Sequence, residues 1–170
     1  LRLYGRMPLI EPLETKESCK IRELVIVIDT SYSTSGELVK GFLKETAAVL
    51  SQKNSFFRSC QIRVIQCDDQ VRMDQTIAAG EDMQRFLDQF EIKGGGGTDF
   101  CPVFSYVEQL RKAGELRHLG GLLYFTDGKG VYPVKRPDYK TAFLFLEAYD
   151  EDAVPPWAMR LKLEPEEWLK

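Results

Sequence analysis

Residues 24–33 read Leu-Val-Ile-Val-Ile-Asp-Thr-Ser-Tyr-Ser, an aliphatic run that ends in a carboxylate and a hydroxyl-rich loop. Leu24 to Ile28 show no polar alternation, as expected of a strand covered on both faces in a parallel sheet. In open α/β sheets ligands bind beyond the carboxyl ends of the strands, where the strand order switches. Asp29 therefore stands where a ligand site belongs.

Working outward, Thr34 and Glu37 have capping-box spacing. Leu38, Val39, Phe42, Leu43, Thr46, Val49 and Leu50 follow at helical period, predicting a helix over about 35–53. Gln61 to Cys67 and Val71 to Asp74 read as strands joined by a turn at Asp68-Asp69-Gln70, whose acids we expect to be solvated, a second acidic cluster near the site being the other reading. Met83, Phe86, Leu87 and Phe90 mark a short amphipathic helix. Gly94 to Gly97 break the pattern, and Pro102 suits the first turn of a helix carrying Val103, Val107 and Leu110. Gly120 to Phe125 and Ala142 to Leu146 read as buried strands. Met159, Leu161 and Leu163 alternate with Arg160, Lys162 and Glu164 as in an exposed edge strand. Interleaved strands and helices predict an α/β fold: a doubly wound, mostly parallel central sheet with helices on both faces and one antiparallel edge strand. Residues 1–20, with Pro8 and Pro12, read as an extended lead-in or linker remnant, and 21–170 as one domain.

The composition excludes several classes. With 170 residues, 44% hydrophobic and 29% charged, the chain is ordinary globular material. A net charge of -3, with no basic run longer than two residues, offers no field for a phosphate backbone, so nucleic acid is not an expected partner. No apolar stretch approaches the roughly 20 residues of a membrane span. Leu1 and the missing signal pattern read as a piece of a longer chain. Cys19, Cys60, Cys67 and Cys101 lack CxxC spacing, and read as reduced core thiols of a cytoplasmic protein.

A second acid, Asp127, follows the strand Leu122 to Thr126 as Asp29 follows its own. Ser31 and Ser33 occupy alternate positions after Asp29, so in a semi-extended loop both hydroxyls point the same way. Mg²⁺ prefers such hard oxygen donors, and zinc or copper would call for convergent His or Cys. Thr98, directly after the glycines, adds a further oxygen if those glycines take positive φ and bring the backbone close.

The order Asp29-x-Ser31-x-Ser33, then Thr98-Asp99 in a Gly-rich loop, then Thr126-Asp127-Gly128, resembles the metal-ion-dependent adhesion site of von Willebrand factor A (VWA) domains. More narrowly, Gly94 to Phe100, Leu123 to Gly128 and Pro155-Pro156-Trp157 resemble the bacterial VWA-like family found downstream of a predicted metallopeptidase-like helical domain. The resemblance implies a site in which Ser31, Ser33 and Thr98 bind Mg²⁺, with Mn²⁺ or Ca²⁺ as other candidates, directly. Asp29 and Asp127 would act mainly through bound waters and hydrogen bonds. It implies a partner protein supplying Asp or Glu to the metal, a MoxR-type AAA+ ATPase as a working partner, and no catalysis by this domain. The family commonly has Gly where Tyr32 stands, so a ring here would narrow access to the metal or touch its ligand.

Two other readings compete. A Mg²⁺-dependent phosphatase would use Asp29 as nucleophile, but a dehalogenase-type enzyme needs a second Asp two positions on, where this chain has Ser31. A purely structural domain would let the acids and hydroxyls satisfy one another without metal. A phosphate loop at Gly94 to Gly97 lacks the following Lys-Ser or Lys-Thr, and His118, the only histidine, lies before a strand, at the end away from the site. Lys129, Lys135 and Arg136 read as a solvated loop or as a rim for an acidic partner.

Overall fold

The computed structural model describes residues 22–31, 36–50, 61–78, 81–91, 93, 95–145 and 148–164. The lead-in at 1–20, Tyr32, Ser33 and the Thr34 half of the capping box lie outside them, as do Cys19 and Cys60. The elements run β1 (Glu23–Asp29), α1 (Gly36–Leu50), β2 (Gln61–Cys67), β3 (Val71–Ala78), α2 (Glu81–Asp88), α3 (Cys101–Lys112), β4 (Leu119–Thr126), β5 (Lys140–Phe145) and β6 (Met159–Lys162).

They form a six-stranded sheet in the order β3-β2-β1-β4-β5-β6. All neighbours are parallel except β2 and β3, so the antiparallel edge is β3 and the opposite edge, β6, is parallel. The chain winds from β1 outward through β2 to β3, then returns to start β4 on the other side of β1. The β1–β4 seam is thus the switch in strand order, with Ile28 facing Phe125 near its carboxyl end.

Successive β1 side chains alternate between two cores, which is why the run is apolar throughout. Leu24, Ile26 and Ile28 pack with Phe42 and Leu43 of α1, and with Phe86, Leu87 and the nearby Phe90 at α2. Val25 and Val27 pack on the other face with Phe104, Val107 and Leu110 of α3. That second core is aromatic: Phe143 lies 5.4 Å from Tyr124 and 5.8 Å from Phe100 between ring centroids, within the range of favourable ring pairs. Both faces of the central strands are covered, as a doubly wound sheet requires.

β6 is the exposed edge strand that its alternation predicts. Met159 and Leu161 are 55% and 56% exposed, and only Leu163, just past the strand, is buried. An edge strand pairs on one side only, so its hydrogen bonds hold it in place without side-chain cover.

Candidate metal centre at the carboxyl ends of β1 and β4

Asp29, the last residue of β1, is completely buried. Its Oδ1 accepts the Ser31 backbone N–H at 2.9 Å, and its Oδ2 accepts the Thr126 hydroxyl at 2.5 Å across the β1–β4 seam. Thr126 Oγ1 in turn accepts the Gly128 N–H at 3.1 Å, so one hydroxyl ties the acid of one strand to the loop leaving the other. Burial pushes the Asp29 carboxyl above its usual range, the Asp127 charge adds to the rise, and the hydrogen bonds from Thr126 and Ser31 oppose it.

Ser31 is 7% and Thr30 1% exposed, and neither hydroxyl has a hydrogen-bond partner among the described residues. Buried hydroxyls are ordinarily paired, so two orphans beside a buried carboxylate call for explanation. Asp127 is 4% exposed, and its Oδ1 accepts the Lys129 N–H at 2.9 Å, which folds the loop back over the end of β4.

Thr98 comes to the same end of the sheet on a different support. Gly130, in the loop after Asp127, packs so closely that a Cβ there would lie 2.6 Å from Thr98 Cγ2 and 2.7 Å from Phe100 Cζ. The Phe100 N–H donates to Val131 O at 3.0 Å, and Asp99 pairs with Val131 in an isolated parallel bridge. The Thr98 loop is thereby laid along the Asp127 loop. Of the expected ligands, then, Asp29, Ser31 and Asp127 gather at the ends of adjacent strands, Thr98 sits on a separate loop packed against the one that follows Asp127, and Ser33 is outside the described residues.

The glycine run works differently from the sequence-based expectation. Gly95 takes φ 116°, but Gly96 and Gly97 do not adopt positive φ. Gly96 makes a close approach instead: a Cβ there would lie 3.1 Å from Asp68 Oδ2, which accepts the Gly96 N–H at the same distance.

Asp68 is correspondingly not a solvated turn residue. It is 1% exposed, and its Oδ1 accepts Arg72 Nε at 2.8 Å and the Gln70 N–H at 3.0 Å. Burial alone would raise its pKa. Arg72 and the Gln70 and Gly96 amides outweigh that and hold the carboxyl well below the usual range. Gln66, fully buried at the end of β2, accepts the Lys93 N–H at 2.6 Å and donates to Glu91 O at 2.9 Å. Together Gln66 and Asp68 suspend the segment carrying Thr98. Thr126, Asp68 and Gln66 are the supports that sequence reasoning missed. The position of Thr126 within Thr-Asp-Gly was the one available signal.

His118 is exposed, and its N–H donates to Glu23 Oε2 at the amino end of β1, remote from these loops. Among the described residues no three His, Cys, Asp or Glu side chains group closely enough to hold a metal ion. A cation here would depend on hydroxyl oxygens. The donors present are all hard oxygens, and the unpartnered Ser31 hydroxyl beside Asp29 is what such an ion would satisfy, so the residues fit Mg²⁺ better than a softer metal.

An open α/β sheet with this strand order and these loops at its β1–β4 switch defines a domain of the VWA type. The chain belongs to the VWA-like domain family (DUF2201), whose model matches residues 24–164. Among solved structures it is similar to proximal thread matrix protein 1 from the mussel byssus, with a TM-score of 0.63 and 13% identity over 87% of this chain. The chain spans only 44% of that protein. It is also similar to the SpRpn10 VWA domain, with a TM-score of 0.57 and 14% identity, covering 85% of this chain and 89% of that domain. No curated protein sequence matches the chain. Among the described residues no helix is long and apolar enough to cross a membrane.

Proposed function

We propose that this VWA-like domain is a metal-dependent protein-binding module. Ser31, Ser33 and Thr98 would hold a Mg²⁺-type ion directly, with Asp29 and Asp127 holding its waters. The observation that carries this reading is the buried Ser31 hydroxyl, unpartnered among the described residues, beside the buried Asp29 carboxylate at the switch in strand order. When bound, the ion would supply an electrophilic open position for an Asp or Glu of a partner protein. The chain's own part is to keep the donors in place: Thr126 and the Ser31 amide orient Asp29, and Asp68 and Gln66 suspend the loop of Thr98.

The same proposal includes a MoxR-type AAA+ ATPase as working partner and a metallopeptidase-like domain upstream, both supported by family resemblance alone. It assigns no catalysis to the domain. Complete burial of Asp29, with a hydrogen bond on each oxygen, counts against its use as a phosphatase nucleophile, which needs open access to substrate.

A metal-free structural role is the second reading. It is favoured by the same two hydrogen bonds, since Asp29 is partnered without any ion. Calorimetric titration of Mg²⁺ into the native protein and Asp29→Asn separates the two. The proposal expects binding that the variant loses, and absence of binding to the native protein supports the structural reading instead.

A further inference from the structure

A cavity of about 250 Å³ opens between the first turns of α3 and the segment 133–139. It is smaller than the roughly 300–1,000 Å³ of sites that enclose a whole small molecule, and so is sized for a single side chain. Phe104, Pro133, Pro137 and Tyr139 make its apolar wall, and Lys135 and Arg136 line it as well. Two carboxylates also line it, but both face Arg111: Glu108 at 2.6 Å and Asp138 at 3.8 Å. Lys135 and Arg136 have no such carboxylate among the described residues, so the cavity keeps a positive margin.

The segment that lines the cavity follows in the chain on the loop after Asp127. Val131, 59% exposed, lies between them: its carbonyl holds the Phe100 amide, and the cavity-lining segment begins two residues later. Pro133 and Pro137 bracket Val134, which is 96% exposed, and stiffen the segment that carries both cations.

We propose that this cavity is a second subsite of the partner-binding surface, taking an apolar side chain of an acidic partner segment whose adjacent carboxylate pairs with Lys135 and Arg136. It rests on the reading of the neighbouring loops as a metal-dependent protein-binding site. The partner segment places one acid at the metal, crosses Val131 and seats its next apolar residue in the cavity. Charge complementarity selects an acidic segment over a basic one.

The test is amide chemical-shift mapping on the labelled protein with the probe peptide acetyl-Glu-Phe-Glu-amide, against acetyl-Lys-Phe-Lys-amide, each with Mg²⁺ and with chelator. A separate titration uses Mg²⁺ alone. The acidic peptide is expected to move the amides of Ser105, Lys135, Arg136 and Tyr139. Its affinity should fall about tenfold or more in Lys135→Glu/Arg136→Glu, whose exposed side chains can change without loss of the fold. An equal response to the lysine peptide, no response at the cavity, or unchanged affinity in the variant overturns the proposal. Mg²⁺ alone should move the amides of Ser31, Thr98 and Asp127. Silence there, with the cavity still responding, overturns the metal reading and leaves an acidic-peptide site in place.

Discussion

The Thr126 hydroxyl donates to Asp29 Oδ2 at 2.5 Å, joining residues 97 apart in the chain across the seam where the strand order reverses. Because the same oxygen accepts the Gly128 amide, Thr126→Val leaves the buried Asp29 carboxylate and the half-buried Gly128 amide short of a partner. Each such loss costs about 1–3 kcal/mol, so we expect a variant less stable by at least that much in urea denaturation. If the proposed metal site is correct, Mg²⁺ affinity falls with it.

Asp29 and Asp68 should respond to pH in opposite directions. The Asp29 pKa is raised by burial, so the folded state holds its proton more tightly than the unfolded chain does. Its contribution is greatest below the unfolded value of 3.8 and is lost as pH rises through the folded pKa. The Asp68 pKa is lowered on balance: burial opposes ionisation, but Arg72 and the backbone amides outweigh it. Its contribution is present above 3.8 and is lost as pH falls toward the folded value. Denaturation curves for Asp29→Asn and Asp68→Asn across acid pH should therefore diverge from the native protein on opposite sides of this range.

Removing metal should show the same coupling. A ligand that binds only the folded state raises its stability, so the proposal expects Mg²⁺ to raise the melting temperature and chelator to reverse the gain. The shift should shrink as pH drops and Asp29 takes up its proton, starting at a higher pH than for an ordinary carboxylate.

Gly130 and Gly97 form a matched pair of tests. A Cβ at Gly130 would lie 2.6 Å from Thr98 Cγ2 and 2.7 Å from Phe100 Cζ, so Gly130→Ala must displace one of them. Overpacking of this kind costs about 1–3 kcal/mol and should disturb Thr98 directly. At Gly97 an added Cβ meets nothing within 4 Å, and Gly97→Ala should change stability by no more than about 0.5 kcal/mol. Thermal melts of the two variants check both expectations.

Asp68→Ala should release the segment of Thr98 without touching the ends of β1 or β4. The variant frees the Gly96 and Gln70 amides and leaves Arg72 without its buried partner. We expect faster hydrogen exchange at the Gly96 and Gln70 amides and a loss of about 2–3 kcal/mol, the scale of hydrogen bonds to a charged group.

The sheet was legible because burial on two faces leaves a local mark. Leu24 to Ile28 and Leu122 to Phe125 are apolar throughout, and an acid follows each within two residues, which located the carboxyl ends of two strands before their order was known. The exposed edge was legible as well, and the polar turn was not. Met159 and Leu161 alternate with polar neighbours and are exposed on an edge strand, as expected, with pairing to β5 holding β6 in place. Asp68 and Asp69 look alike in a polar turn, but one is buried under the glycine loop and the other is half exposed at its side chain.

By itself the sequence determined the alternation of strands and helices, the buried character of the central strands and the acids and hydroxyls that follow them, because each depends on neighbours within a few residues. Only the tertiary structure decided that β1 lies against β4, that Thr126 holds Asp29, that Asp68 suspends the glycine loop and that Lys135 and Arg136 border a cavity. Those contacts join segments far apart in the chain, and it is the packing of both faces of the sheet that brings them within hydrogen-bonding reach.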